Sequence, residues 1–412
     1  ALKVTLVWTE PPAVAGSANP VVNNLDLEVV SPDGTQTFRG NVFAAGVSIT
    51  GGAADTLNNV EMVLINAPVA GDWTIRVIGS AINVGNPGQG YAVVVTADIP
   101  EPPVATGVQD TLVVRVKFAD IAFEPPLANL QNLMAEVGTY IGEVSYGQAS
   151  VVPVFRGPVN LDHNKDYYYH PDRNLLIELT EEVVAKLVAA EPNIFNDFER
   201  MIVVTNDINF TGDWATTGPW PYDLPAGFTR PISVSIQSYA NPAARFSHGM
   251  LHQFGLVDLY AHEGVSFPRP YVDEWDNMAG LYNNAHPLIW SKERAGWLTS
   301  HGDTIAYIPR PAAGASYGGL NPIPIFRNTL PAANRKAIAI GLSEGAATLA
   351  AENTFYFVEA RSNASGTADS VLPGSGVLIY YINELIPQGE GPVILRDKNL
   401  LTQGLGDAFY SV

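Results

Sequence analysis

The sequence predicts a multidomain chain: an all-β sandwich, then an α/β (α+β) domain, closed by a C-terminal β-rich region. Three observations carry this. The chain has 412 residues, too many for one ordinary domain. Hydrophobic residues are 47% and charged residues 15%, a composition that fills large cores and argues against disorder. The spacing of the apolar residues also changes along the chain, from strand-like, to helical with buried runs, and back to strand-like beyond Ser300. The expected boundaries are a sandwich over 1–98, a proline-rich linker over 99–111, a second domain over 112–300 and a β-rich region over 301–412 packed on it.

In the first segment Lys3 to Trp8, Leu25 to Val30, Val60 to Ile65, Trp73 to Ile78 and Tyr91 to Thr96 alternate or run apolar, as strands do. S-P-D-G-T (Ser31 to Thr35) and P-V-A-G-D (Pro68 to Asp72) separate them as turns. No nucleophile or base constellation occurs here. Pro100, Pro102 and Pro103 then stiffen a linker from Ile99 to Thr111.

The second domain opens with the buried-strand run L-V-V-R-V-K-F (Leu112 to Phe118). Leu127, Leu130, Leu133, Met134, Val137 and Ile141 recur at helical spacing. So do Leu179, Val183, Val184, Leu187 and Val188, in a helix that stops near Pro192. Met201 to Thr205 is a further buried strand. Beyond Ser300, Ile323 to Phe326, Lys336 to Leu342, Thr354 to Ala360 and Val377 to Ile382 read as strands. Glu359 and Arg361 are taken there as ordinary strand polar residues, one on each side.

A net charge of −19 disfavours nucleic acid and anionic membrane as partners. With no cysteine, neither disulfides nor thiolate metal sites can form, so a metal must use His and carboxylate ligands. No apolar stretch reaches the length of a membrane span, and no membrane insertion is expected. Opening at Ala1 directly in K-V-T-L-V-W, the chain is expected to be a mature or excised piece of something longer.

The chemistry concentrates in N-P-A-A-R-F-S-H-G-M-L-H-Q-F-G-L-V-D-L-Y, Asn241 to Tyr260. Asn241 suits an N-cap, Pro242 the first helical position and Gly255 the stop. His248 and His252 then lie one turn apart on one face. Neutral imidazoles so placed can bind one tetrahedral Zn²⁺, and the turn at Gly255 can bring Asp258 back as an oxygen ligand. This is H-E-x-x-H extended by x-x-G-x-x-D, except that Gly249 stands where the glutamate would be. That glutamate takes a proton from the metal's water and passes it to the leaving amine, worth about 10²–10⁴-fold. Gly249 has no group to do so, and a mid-helix glycine costs about 1 kcal/mol against alanine. Replacing it by glutamate is therefore expected to raise both activity and stability. On a plainer view, the histidines beside Phe246, Leu251 and Phe254 are ordinary core-edge residues. His262 is a substitute third ligand, while His163, His170, His286 and His301 have no ligand spacing.

Two family resemblances add to this. V-W-T-E-P-P, N-N-L-D-L-E-V-V-S-P-D-G-T, N-N-V-E-M-V and A-G-D-W-T-I-R-V resemble the C-terminal β-sandwich that follows the catalytic domain in many secreted subtilisin-like serine proteases. The resemblance implies an accessory module, an upstream serine protease domain, and calcium with Asp26, Asp55 and Asn58 as candidate ligands, which are otherwise plain turn and edge residues. From Leu112 to about Leu298 the chain resembles the immune inhibitor A family of secreted zinc metallopeptidases, which are zincin-like. S-Y-G-Q (Ser145 to Gln148), W-A-T-T-G-P-W-P-Y (Trp214 to Tyr222), H-G-M-L-H-Q-F-G-L-V-D-L-Y (His248 to Tyr260), W-D-N-M-A-G (Trp275 to Gly280) and W-S-K-E-R-A-G-W-L (Trp290 to Leu298) carry it. F-V-E-A-R-S and L-P-G-S-G-V-L-I-Y-Y-I-N-E resemble strands closing that unit.

By this resemblance His248, His252 and Asp258 fall on the zinc ligands, Gly249 on the catalytic glutamate and Met278 on the methionine turn beneath the metal. The expected function is a secreted zinc metalloendopeptidase-like protein, acting on peptide or protein and impaired at Gly249. The alternatives are a non-catalytic extracellular binding or structural protein on a peptidase fold, and an accessory fragment of a larger subtilisin-like protease.

Overall fold

A computed structural model of the chain describes all residues except 14, 15, 18, 33, 70–72, 86–88, 98–104, 123, 125, 171–174, 210–212, 217–231, 262–270, 280–282, 299–303, 313–321, 332, 387, 397–404, 406, 407, 411 and 412. His262, His301, residues 99–104 of the linker, the turn at 70–72 and residues 217–222 of the tryptophan-rich motif therefore lie outside the described residues. The described residues form two compact units, Ala1–Glu101 and Pro102–Val412. No helix among them is long and apolar enough to cross a membrane.

In the first unit the strands are β1 (Leu2–Trp8), β2 (Asn24–Val30), β3 (Thr37–Ala44), β4 (Val47–Thr50), β5 (Val60–Ile65), β6 (Thr74–Ala81) and β7 (Tyr91–Thr96). They make two antiparallel sheets, ordered β5-β1-β7 and β4-β3-β2-β6. Alternation puts Leu2, Val4, Leu6 and Trp8 of β1 into one core with Leu25, Leu27 and Val29 of β2. Strands β3 and β4 were not expected from the sequence. Gly40 and the left-handed Asn41 (φ 59°) interrupt the apolar alternation of β3. Glu61, on β5, is buried and accepts a hydrogen bond from Leu27 N at 2.7 Å. A side chain at position 40 would overlap it.

The second unit starts with β8 (Gly107–Lys117), so residues 107–111, expected in the linker, belong to a strand. There follow α1 (Leu127–Val144), β9 (Ala149–Asn160), α2 (Lys165–Tyr168), α3 (Leu175–Ala190), β10 (Arg200–Thr205), β11 (Asp213–Ala215), β12 (Ser233–Ser238), α4 (Ala243–Gln253) and α5 (Ile289–Arg294). One sheet is ordered β11-β12-β10-β8-β9, parallel except for the edge strand β11. Val113, Ile202 and Val204 face α1 and α4, while Leu112, Val114, Met201 and Val203 pack with α3 on the other side. Two strands here escaped the sequence pattern. In β9, Pro153 and Pro158 mask a strand, and both are tolerated because β9 is an edge. In β12, S-V-S-I-Q-S looks amphipathic, yet every residue is buried, since the sheet is covered on both faces.

Strands β13 (Ile305–Ile308), β14 (Ala337–Gly341), β15 (Thr354–Arg361), β16 (Gly376–Asn383) and β17 (Val393–Leu395) make a second sheet in that order, with β13 parallel to β14 and the rest antiparallel. Ile323 to Phe326 is not a strand. The segment runs alongside instead, with Phe326 N bonded to Arg335 O, and Ile305–Ile308 fills the sheet. Phe355, Phe357, Leu378, Tyr380 and Ile382 share one core with α1, α4, Trp275 and Met278. The C-terminal sheet and the histidine helix are thus parts of one packed body.

Candidate metal centre

Helix α4 begins at Ala243 after Pro242, which occupies the N-cap place with ψ 162°. Asn241 does not cap it: its Nδ2 donates to Gln237 Oε1 at 2.9 Å on the preceding strand. At the other end Gly255 takes φ +88°, which lets Leu256 N reach Leu251 O at 3.1 Å and Gly255 N reach His252 O at 2.8 Å. This tight stop turns the chain back over the helix and brings Asp258 beside the histidines.

His248, His252 and Asp258 are all buried, and among the described residues theirs is the one group of three His, Cys, Asp or Glu side chains whose ligand atoms converge. The two Nε2 atoms stand 3.1 Å apart. Asp258 Oδ1 lies 3.4 Å from His248 Nε2 and 3.2 Å from His252 Nε2. Each Nδ1 faces a backbone carbonyl, Asn277 O at 3.1 Å for His248 and Leu256 O at 2.9 Å for His252. A carbonyl only accepts, so each Nδ1 carries its proton and each neutral ring presents a bare lone pair at Nε2. Two lone pairs and a carboxylate oxygen that meet in a buried place repel one another unless a cation lies between them. Atoms held about 2.0–2.1 Å from a tetrahedral ion stand about 3.3 Å from each other, which is the spacing found here. The donor set fits zinc. Burial raises the Asp258 carboxyl; positive charge and hydrogen-bond donation at the two Nε2 atoms, where a cation would stand, act the other way and hold it far below the ordinary carboxylate range.

Gly249 is closely packed. A Cβ there would lie 2.8 Å from Gln237 Nε2, 3.1 Å from Ser235 Cβ and 3.3 Å from Ser235 Oγ, all on β12. Gln237 and Ser235 are fully buried. The stability gain expected for glutamate at 249 is therefore corrected: relief of the glycine penalty is opposed by a clash with the sheet.

Met278 is buried in a short turn, Asn277–Ala279, next to α4. Its carbonyl accepts from Leu259 N at 2.9 Å. Glu359 and Arg361 are not on opposite sides of β15, as residues two apart share a face, and both point inward with Phe355 and Phe357. His286, without ligand spacing, is buried between Glu143 Oε1 at 2.9 Å and Lys292 Nζ at 2.6 Å. The residues of β12 against Gly249 were missed in the sequence, where nothing marks S-V-S-I-Q-S as facing the helix.

The candidate calcium ligands are engaged separately by the fold. Asp26 accepts from Asn24 Nδ2 at 2.9 Å and from the Ser80 hydroxyl. Asp55 accepts from Asn41 Nδ2 at 2.6 Å, Leu57 N at 2.8 Å and Asn58 Nδ2 at 2.7 Å. Hydrogen bonds from β2, β3, β6 and the loop after β4 thus engage these side chains.

No family model matches the chain. Among curated proteins it is similar to the serine protease/ABC transporter B family protein tagB of Dictyostelium discoideum, 35% identical over 83 residues, which is 20% of this chain and 4% of that protein. It is also similar to tagA of that organism, 33% identical over 96 residues, 23% of this chain and 5% of that protein. The chain thus spans about a twentieth of the length of these relatives. Among solved structures it is similar to metalloproteinase-II from Bacteroides fragilis, with 11% identity, covering 63% of this chain and 86% of that one at a TM-score of 0.31. A likeness that low adds nothing to the topology described above.

Proposed function

We propose that the second unit is a zincin-like, metallopeptidase-related domain of the immune inhibitor A type that holds zinc through His248, His252 and Asp258 and hydrolyses peptides weakly or not at all. The observation that carries this is the pair of Nε2 atoms 3.1 Å apart with both Nδ1 atoms committed to carbonyls. Zinc, when bound, supplies Lewis acidity to a water or a peptide carbonyl. The chain's own part is to hold the ligands and to exclude competing protons at Nε2. Gly249 offers no acceptor for a proton, and the close approach of Ser235 and Gln237 supports a glycine that belongs to the packing. Met278 serves in this reading as the methionine turn under the metal. A secreted setting, peptide or protein as ligand, and an upstream serine protease domain complete the proposal. The last is supported by relatives named as serine proteases.

Zinc titration followed by calorimetry tests it. About one zinc per chain is expected, with binding lost in His248→Ala and His252→Ala. Failure of the folded wild-type protein to take up zinc would remove the proposal. Robust cleavage of a quenched peptide library, sensitive to chelator and lost in His252→Ala, would return the chain to the active peptidases.

A further inference from the structure

The strand β15 delivers an arginine to the far side of the candidate metal centre. Arg361 is buried, and all five of its N–H groups are used. Nε donates to Asp369 Oδ2 at 2.9 Å and Nη2 to Asp369 Oδ1 at 2.5 Å. Nη2 also donates to His286 O at 3.0 Å, and Nη1 to Glu359 Oε1 at 3.2 Å and Trp275 O at 2.9 Å. Asp369 is in turn held by His286 N at 3.0 Å. The guanidinium thus clasps the backbone on both sides of the turn at 275–279.

That turn touches one ligand and the chain neighbour of a second. Asn277 O receives the Nδ1 proton of His248 at 3.1 Å, and Met278 O receives Leu259 N, next to Asp258, at 2.9 Å. Between them and Arg361 stands Asp276, whose carboxylate accepts from Met278 N at 2.8 Å and Leu288 N at 2.7 Å. Two consecutive carbonyls, fixed in direction, set the rotation of the His248 ring and the place of the Asp258 segment. Partners of this kind, which orient a ligand without touching the metal, change metal affinity by about 10–100-fold when removed.

We propose that Arg361 is a positioning residue of the metal centre: from the C-terminal sheet it pins Trp275 O and so aims the Asn277 and Met278 carbonyls at His248 and Leu259. This rests on the zinc-binding reading above. Lysine cannot replace it, because an ammonium has three donors and no planar fork to span Asp369, Trp275 and His286 together.

The test uses the full chain loaded with Co²⁺ or Zn²⁺ alone. Wild type, Arg361→Lys and Asp369→Asn are compared with Phe355→Leu, a core change in the same strand that touches none of the turn's bonds described here. Expected are a fall of about 10–100-fold in Co²⁺ and Zn²⁺ affinity and an altered Co²⁺ visible spectrum in Arg361→Lys. Phe355→Leu should lower the unfolding temperature and leave spectrum and affinity alone. Should Arg361→Lys fail to fold, Asp369→Asn, which keeps the arginine but weakens its anchor, is expected to show the same change in smaller measure. A folded Arg361→Lys, or failing it Asp369→Asn, with wild-type spectrum and affinity overturns the positioning role while leaving the metal site standing. A wild-type chain that binds neither ion removes the zinc-binding reading itself, and this inference with it.

Discussion

Gly249→Ala is the smallest change that asks whether the glycine is a packing requirement. At an open helical position alanine would stabilise by about 1 kcal/mol. Here the new methyl would stand 2.8 Å from Gln237 Nε2 and 3.1 Å from Ser235 Cβ, and overpacking of this kind costs about 1–3 kcal/mol. The balance is a loss of about 0–2 kcal/mol where propensity alone gives a gain. Gln237 cannot swing aside freely, because its Oε1 holds the Asn241 amide at 2.9 Å and its side chain has no route to solvent. Equilibrium urea unfolding of wild type, Gly249→Ala, Gln237→Ala and the double variant measures the pair. With Gln237 shortened, the alanine has room, so its effect should turn favourable, a coupling of about 0.5–3 kcal/mol. If Gly249→Ala alone stabilises by about 1 kcal/mol and Gln237→Ala does not alter that, the glycine is not there for packing.

Three further outcomes are expected. In the Gln237→Ala background, Gly249→Glu should raise hydrolysis of a quenched peptide by about 10²-fold or more in the presence of zinc, with Gly249→Glu alone falling short of it. Chelator should lower the unfolding temperature of the second unit and leave the sandwich transition in place, since zinc at 100 times its Kd adds about 2.7 kcal/mol to the folded state that binds it. In the sandwich, burial pushes the Glu61 carboxyl up to about 7, from 4.5, with Asp26 and Asp55 adding to the rise against the bond from Leu27 N. The folded state therefore favours the protonated acid: its contribution is whole below about pH 4.5 and is lost as pH rises through 7. Glu61→Gln should flatten that fall in a pH series of thermal unfolding on residues 1–101, and an unchanged pH profile would show that Glu61 is not its source.

Much of the centre was legible because its geometry is local. A histidine pair at i, i+4, a glycine stop and an acid three residues on fix three ligands within a single helix and turn, and helical periodicity alone places them. What surrounds them was not legible, because it arrives from distant strands. Gln237 and Ser235 reach Gly249 only through the parallel pairing of β12 with β10, and S-V-S-I-Q-S gives no sign of being buried on both faces. Arg361 lies 86 residues beyond Trp275. One signal was present and went unused: Phe355, Phe357, Glu359 and Arg361 alternate on one face of a strand, so a charged pair that continues an aromatic row must be buried or the row exposed. Strands broken by proline or glycine, β9 and β3, escaped for the same reason that they are edges or bulged, since the apolar pattern is weakest where pairing is one-sided or interrupted.

The buried charges around Arg361 bear on why the C-terminal sheet carries them at all. Arg361, Glu359, Asp369 and Lys292 are each almost or wholly shielded from water. Desolvation takes back most of what such groups gain from one another, and well-packed apolar residues of similar volume would often serve stability as well or better. Apolar residues cannot, however, hold a carbonyl in a chosen direction. Arg361 fixes two backbone oxygens, and Glu359 fixes Ile289 N at 2.8 Å and the Tyr380 hydroxyl at 2.7 Å. The groups they hold bracket the segment that supplies Asn277 O and Met278 O to the ligands. Charge buried at so poor a return in stability is better understood as the means by which a sheet remote in sequence determines the angle of one imidazole.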